Sequence, residues 1–253
     1  MKPLYVHGTG FWAEGYPTLA AYCSKTPDVS ERKPEAALLQ GASKRRASLL
    51  TRMAVEVFGQ AAGEAGADLS SVNSVWAIVH GEINTAVELM GMMQAGEGKL
   101  SPAKFHNSVY NTASGYASIA CANRAPSSTL TGGPEIVGAA LVEAAGLLQA
   151  GAEQVVVVWA DEVHPAPFES SEPREPLAMA LCLSQQAAGS LACISHLRRE
   201  PAGLMPATKA FQGLHISAAL PLLEGIETRA PGELTLDRGV GESLCWTGEL
   251  SFA

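Results

Sequence analysis

The sequence predicts an α/β layered fold, a mostly parallel mixed sheet covered by helices. Three observations carry this. Segments of strand and helix character alternate in the order β, α, β, α, α, β, α, β, β, β. Gln154 to Ala160 (QVVVVWA) is a continuous apolar run, as expected of a central strand covered on both faces. Ile136 to Leu148 is apolar nearly all round, which predicts a helix buried on all sides.

Taken in order, Pro3–His7 reads as a strand ending in a turn, Gly8-Thr9-Gly10. The polar, proline-bounded stretch Thr26–Pro34 reads as a surface loop. From Leu49 to Ala65 apolar residues recur every three to four positions, which predicts a helix closed by Gly66, with Lys44, Arg45, Arg46 and Arg52 on its outer face. Ser74–Val79 is a short apolar strand, and Asn84–Gln94 a helix carrying Met90, Met92 and Met93 that ends over Gly96–Pro102. Asn111–Ala122 is a helix of small residues, followed by the compact strand Ser127–Thr131. Gly132-Gly133-Pro134-Glu135 then opens the long apolar helix, with proline at the first helical position and an acid after it. Beyond the Pro- and Glu-rich loop His164–Pro176, Leu177–Leu183 and Ser190–His196 read as strands. The tail from Pro201 is less regular, with a short helix over Ser217–Ile226 and a terminal hairpin, Glu233–Asp237 with Ser243–Ser251.

Composition bounds the function. The chain has 253 residues, 47% hydrophobic and 17% charged, enough for one large domain or one domain plus a small appendage and unlike a disordered chain. No apolar run reaches the roughly 18 residues that a membrane span needs. Residues 1–12 lack the pattern of a secretory signal, so a cytoplasmic location is expected. Seventeen basic against 25 acidic residues leave a net charge of −8, which disfavours a nucleic-acid backbone and an acidic carrier protein alike. Five cysteines (Cys23, Cys121, Cys182, Cys193, Cys245) with no CxxC pair predict reduced thiols.

Candidate chemistry is sparse. Gly8-Thr9-Gly10-Phe11-Trp12-Ala13 matches GxGxxA after a strand, but no helix clearly follows and no acid-ending strand lies about 20 residues on, so a glycine turn is the better reading. The six histidines form no zinc-binding spacing, and no metal or cofactor is implied. Asp161-Glu162 with His164 could pair, but neighbours at a strand end point different ways, which favours a loop edge. No GxSxG elbow is present, and Cys121, on the small-residue helix, reads as a packed thiol. Phe105-His106-Asn107-Ser108-Val109-Tyr110-Asn111 is polar and aromatic and lies between a methionine-rich and a small-residue helix. It fits the wall of a cavity as well as helix-entry capping by Asn107, Ser108 and Asn111. The methionines fit such a wall or an ordinary core.

The run Leu100–Glu162 resembles the N-terminal half of the β-ketoacyl synthases of the thiolase superfamily. Carrying the resemblance in order are Asn111-Thr-Ala-Ser-Gly115, Arg124-Ala-Pro-Ser127, Ser128-Thr-Leu-Thr131, Glu143–Gly151 and Val155-Val-Val-Val158. With the first strand and the Leu49–Ala65 helix it covers roughly the first 200 residues. It implies a thiolase-like half-fold over residues 1–200, with 201–253 as a tail packing on the same domain. The family's nucleophilic cysteine falls on Pro134, or within one residue on Gly133 or Glu135, and none of these supplies a thiolate. Proline also lacks an N–H for an oxyanion, and Glu135 would oppose negative charge there. Only 253 − 134 = 119 residues follow Pro134, and the family's two histidine motifs do not occur among them.

The resemblance therefore points to a non-catalytic chain-length-factor subunit of the truncated kind found with aryl polyene or xanthomonadin-like pigment synthesis. The Phe105–Val109 block and Asp161-Glu162 are similar to that group. The implied partner is an active β-ketoacyl synthase in a heterodimer, which would meet the acyl carrier protein. Implied tunnel-lining residues are Met90, Met93, Phe105, His106, Tyr110 and Asn111. The implied interface strand is Ser127, Ser128, Thr129, Leu130 and Thr131, an edge that would otherwise invite aggregation. Two other readings remain at this point: a stand-alone acyltransferase or thioesterase using His106, Cys121 or Asp161, and a homodimeric scaffold without an acyl pocket.

Overall fold

A computed structural model describes residues 1–30, 32–96, 100–168, 175–201, 209–237 and 244–252. The chain forms β1 (Leu4–Ala13), α1 (Leu19–Cys23), α2 (Gly41–Arg46), α3 (Leu49–Glu64), β2 (Asn73–Ile78), α4 (Ile83–Ala95), α5 (Pro102–His106) and α6 (Thr112–Ala120). There follow β3 (Ser127–Leu130), α7 (Ile136–Gln149), β4 (Gln154–Asp161), β5 (Leu177–Ser184) and β6 (Ala192–Pro201). Two 3-10 turns (Lys209–Phe211 and His215–Ala219), α8 (Leu220–Thr228), β7 (Gly232–Thr235) and β8 (Leu244–Ser251) complete it. Ser243, the expected first residue of the last strand, lies outside the described residues, as does part of the loop 164–176.

One eight-stranded sheet runs β3-β2-β4-β5-β1-β6-β8-β7. The α/β layering is as expected, but the balance of strand directions is not. Among the described residues only β2–β3 and β2–β4 are parallel, and the other five pairings are antiparallel. Continuous apolar runs report burial on both faces, not direction. β5 is buried at every position and still lies antiparallel to both its neighbours.

The two faces of the sheet carry separate cores. On one, Trp76, Val156, Val158, Ala178 and Ala180 pack against α3 and α6. On the other, Val155, Val157, Trp159, Leu181 and Ile194 pack against α7, the turn His215–Ala219 and α8. Successive residues of β4 alternate between these cores, the period-2 signature of a strand sandwiched between helix layers.

Several local expectations are corrected. β1 does not end at His7 in a glycine turn; it runs on to Ala13. Gly8 and Gly10 are where α3 crosses it: a Cβ at Gly8 would lie 2.2 Å from the Ala61 carbonyl oxygen, and one at Gly10 2.2 Å from that of Val57. The glycines admit a helix backbone rather than a dinucleotide. Lys44, Arg45 and Arg46 form the last turn of a separate short helix, α2, whose end is tied to α3 by Arg52: Nε donates to Ala47 O (3.1 Å) and Nη2 to Lys44 O (2.6 Å). Pro134 sits in a turn closed by Ile136 N–H to Gly133 O (3.1 Å), and α7 begins two residues later with Glu135 at its N-cap. α7 is buried on one side only; Ala139, Val142, Glu143 and Leu147 are half-exposed. β6 continues five residues beyond His196, which sits at a break in register with a φ of 53°.

Candidate functional site: an apolar wall beside a sheet edge

The region built by α4, α5 and the start of α6 is out of keeping with a closed core. In α4 only Leu89 is buried, and of its three methionines Met90 and Met93 are exposed and Met92 half-buried. Met90 is 64% exposed, Met93 65%, Phe105 68% and Ile119 75%, and Val109 and Tyr110 are about half exposed. His106 and Asn111 are exposed too. Among the described residues most of the large exposed apolar side chains lie between residues 90 and 119.

This surface is held, not loose. The Asn107 Nδ2 donates to Arg46 O (3.1 Å), and its Oδ1 accepts from the Tyr116 hydroxyl (3.1 Å). Thr112 Oγ1 donates to Asn107 O and Val109 O (3.1 and 2.7 Å). Lys104 on α5 pairs with Glu88 on α4. Gly81, at φ +59°, lets the chain pass under Tyr110, whose Cα lies 2.8 Å from where a Cβ would be. The capping expectation is corrected in part. Asn107 closes α5 and bonds outward, while Asn111, at the N-cap of α6, makes no side-chain cap.

Next to the wall, β3 ends the sheet and has β2 as its one neighbour among the described residues. Its hydroxyls are locally engaged. Ser74 Oγ donates to Ser127 Oγ (3.0 Å), Ser128 Oγ donates to Glu143 Oε1 (2.7 Å), and Thr129 Oγ1 meets Ser114 Oγ at 3.3 Å. Leu130 is half-exposed, and Thr131 follows the strand rather than belonging to it. Between β3 and α6 lies an open groove of about 320 Å³, bordered by Tyr110, Asn111, Ser114, Ser127 and Thr129. Tyr110 and Asn111 therefore face the edge strand across open space, and Met90, Met93, Phe105 and His106 do not line this groove.

Under the wall is a buried polar cluster that the sequence reading missed. Asp161 and His164 are not on a loop edge; both are buried, with Asp161 Oδ1 3.6 Å from His164 Nε2. The His80 ring stands edge-on to that of His164, 4.3 Å between centroids. Glu82 is buried and accepts from Ser48 (2.7 Å), Thr51 (2.6 Å) and Thr85 (3.2 Å). Burial raises its pKa against those three donors. Burial, opposed by a hydrogen bond from Asn84 and reinforced by Glu82 and Asp161, pushes Glu162 up to about 7. The sequence signal was the set of polar residues closing two parallel strands, His80-Gly-Glu82 after β2 and Asp161-Glu162 after β4, which end side by side.

The residues of the stand-alone-enzyme reading are not brought together. His106 is exposed on α5, Cys121 packs against the α3 core with its thiol pushed up by burial, and Asp161 lies with His164. No hydrogen bond among the described residues joins any two of the three, which leaves no nucleophile beside a base. Among the described residues no group of three His, Cys, Asp or Glu is placed to hold a metal ion.

The family profile of the β-ketoacyl synthase N-terminal domain matches residues 21–224. The chain belongs to that family. No curated protein matches it. Among solved structures it is similar to a chain of the ketosynthase (ApeO) in complex with its chain length factor (ApeC) from Xenorhabdus doucetiae. The TM-score is 0.75 at 21% identity, over 98% of this chain and 100% of that one. A chain of the AntDE:AntF complex, a type II polyketide synthase acyl-carrier protein with its ketosynthase bound to the hexaketide, matches with TM-score 0.77 at 12% identity, over 100% and 99%. The ishigamide ketosynthase/chain length factor matches with TM-score 0.64 at 15% identity, over 79% and 68%. At these identities the likeness is one of fold: a ketosynthase-type half, with helices on both faces of one mixed sheet. In this chain Pro134 lies in the turn between β3 and α7.

Proposed function

We propose that this chain is a non-catalytic, chain-length-factor-type subunit that pairs with an active β-ketoacyl synthase and shapes the tunnel in which an acyl or polyene chain grows by decarboxylative condensation. The observation that carries this reading is the exposed apolar wall, Met90, Met93, Phe105 and Tyr110, beside the unpaired edge β3. An edge strand of this kind pairs with another chain readily, and flexible methionines with flat rings suit a greasy slot once a partner closes it. Ser127–Thr131 would then be the interface strand, and His106 and Asn111 would join the tunnel wall. Pro134 at the elbow leaves the thiolate and the condensation chemistry to the partner. The ketosynthase complexes that share the fold support this division of labour.

The other assignments follow from the same reading. The product class is an aryl polyene or related pigment. The net charge of −8 assigns carrier docking to the partner, so the acyl carrier protein is met through it. The chain itself needs no cofactor. The complex works in the cytoplasm; among the described residues no helix is long and apolar enough to cross a membrane. Residues 1–200 are the ketosynthase half, and 201–253 pack on it as a tail.

Coexpression with an active β-ketoacyl synthase tests the reading. A stable complex that condenses, together with an isolated chain that takes up no acyl group, is expected. An acyl-enzyme on the isolated chain, or no complex, overturns it.

A further inference from the structure

The start of α7 is occupied from within the molecule. Gly138, in the first turn of the helix, has no room for a side chain: a Cβ there would meet Trp246 Cγ at 2.2 Å. Trp246 lies on β8 of the C-terminal hairpin, so its indole is seated directly on the backbone of α7. The same hairpin brings Asp237, which is 2% exposed. Its Oδ2 accepts from Trp246 N–H at 2.6 Å. Its Oδ1 has no hydrogen-bond partner among the described residues, and burial pushes the carboxyl up to about 6, opposed first by the Trp246 N–H and more weakly by the Gly138 N–H. A buried carboxylate is costly unless it meets positive potential, and N–H groups at a helix N-terminus offset part of that cost. The Asp237 carboxylate is thus a built-in anion at the end of α7.

We infer that the C-terminal hairpin is an internal plug of the β3–α7 elbow, with Trp246 filling the space over Gly138 and Asp237 taking the helix N-terminus that a developing negative charge would otherwise use. This rests on reading the chain as a non-catalytic subunit and deepens it. Inactivity is then built twice, once by Pro134 and once by a carboxylate and a ring from the tail, so a cysteine restored at the elbow stays an unactivated thiol. The nearby Glu135 adds negative charge on the same side and Arg199 opposes it.

The test reads an introduced thiol in the isolated chain, so its outcome does not depend on whether a ketosynthase binds. In Pro134→Cys, site-resolved alkylation by iodoacetamide against pH gives the thiol pKa. It should be no lower than that of a free cysteine, about 8.5. In Pro134→Cys with Asp237→Asn, which keeps an acceptor for Trp246 N–H but removes the charge, it should fall by about one unit, seen as roughly threefold faster alkylation at pH 7. A depressed pKa in Pro134→Cys alone, or no change on removing Asp237, overturns the plug. Amide exchange on the unmutated chain is the second measurement, free of any folding defect in the variants. The Gly138 and Trp246 amides should exchange only on global unfolding; exchange at the rate of a fraying helix end overturns the inference as well.

Discussion

At the scale of single residues, one glycine and one glutamate carry most of what can be tested. Gly10 exists to let α3 lie on β1, and its Cβ would collide with carbonyl oxygen, not with a side chain that could swing away. Gly10→Ala should therefore destabilise the fold by about 3 kcal/mol, measured by chemical denaturation; a cost under about 0.5 kcal/mol would show that the crossing can relax. Glu162 holds its proton up to about pH 7 in the folded chain, against an ordinary value of 4.5. Folding thus takes up a proton between those two values, and this group's share of stability grows as pH falls from about 7 toward 4.5. Glu162→Gln should raise the melting temperature relative to the parent at pH 8, with the advantage shrinking toward pH 5. Parallel pH profiles for the two proteins would contradict the assignment. Neither role was visible beforehand. GxGxxA looks the same whether the glycines serve a turn or a helix crossing. Asp161, Glu162 and His164 become one cluster with His80 and Glu82 only because two parallel strands end together.

At the scale of elements, the helices divide by where their apolar residues go. Periodicity located α3 to within a residue or two, because an amphipathic repeat reports helical geometry directly. It could not say that α4 turns Met90 and Met93 outward, since the local pattern does not record which face meets the core. Phe105→Ser is the sharp test of this element. With the side chain mostly exposed, stability of the isolated chain should change by no more than about 0.5 kcal/mol. Affinity for the ketosynthase should drop at least tenfold, read by titration of the labelled subunit. An unchanged affinity would remove Phe105 from the interface. α7 shows the opposite limit. Its composition suggested burial on all sides, yet alanine and glycine are equally at home on a half-exposed face.

At the scale of the whole molecule, the tail is structural. Phe211, Leu214, Ile216, Leu222, Leu223 and Leu250 belong to the same core as α7 and β4, and β8 and β7 extend the sheet beyond β6. Ending the chain at Pro201 would uncover that face, so insoluble protein is expected on expression; a soluble truncation that still binds the ketosynthase would refute it. The family resemblance, the order of the main strands and helices, and the absence of a thiol at Pro134 were legible in the sequence alone, because they depend on local pattern and on residue identity. Strand direction, the crossing of α3 on β1, the buried acid cluster and the closure of the elbow by Asp237 and Trp246 were decided only by the tertiary structure. Each joins residues distant in the chain or in separate elements, and no local period records which of two compatible backbones will come to lie side by side.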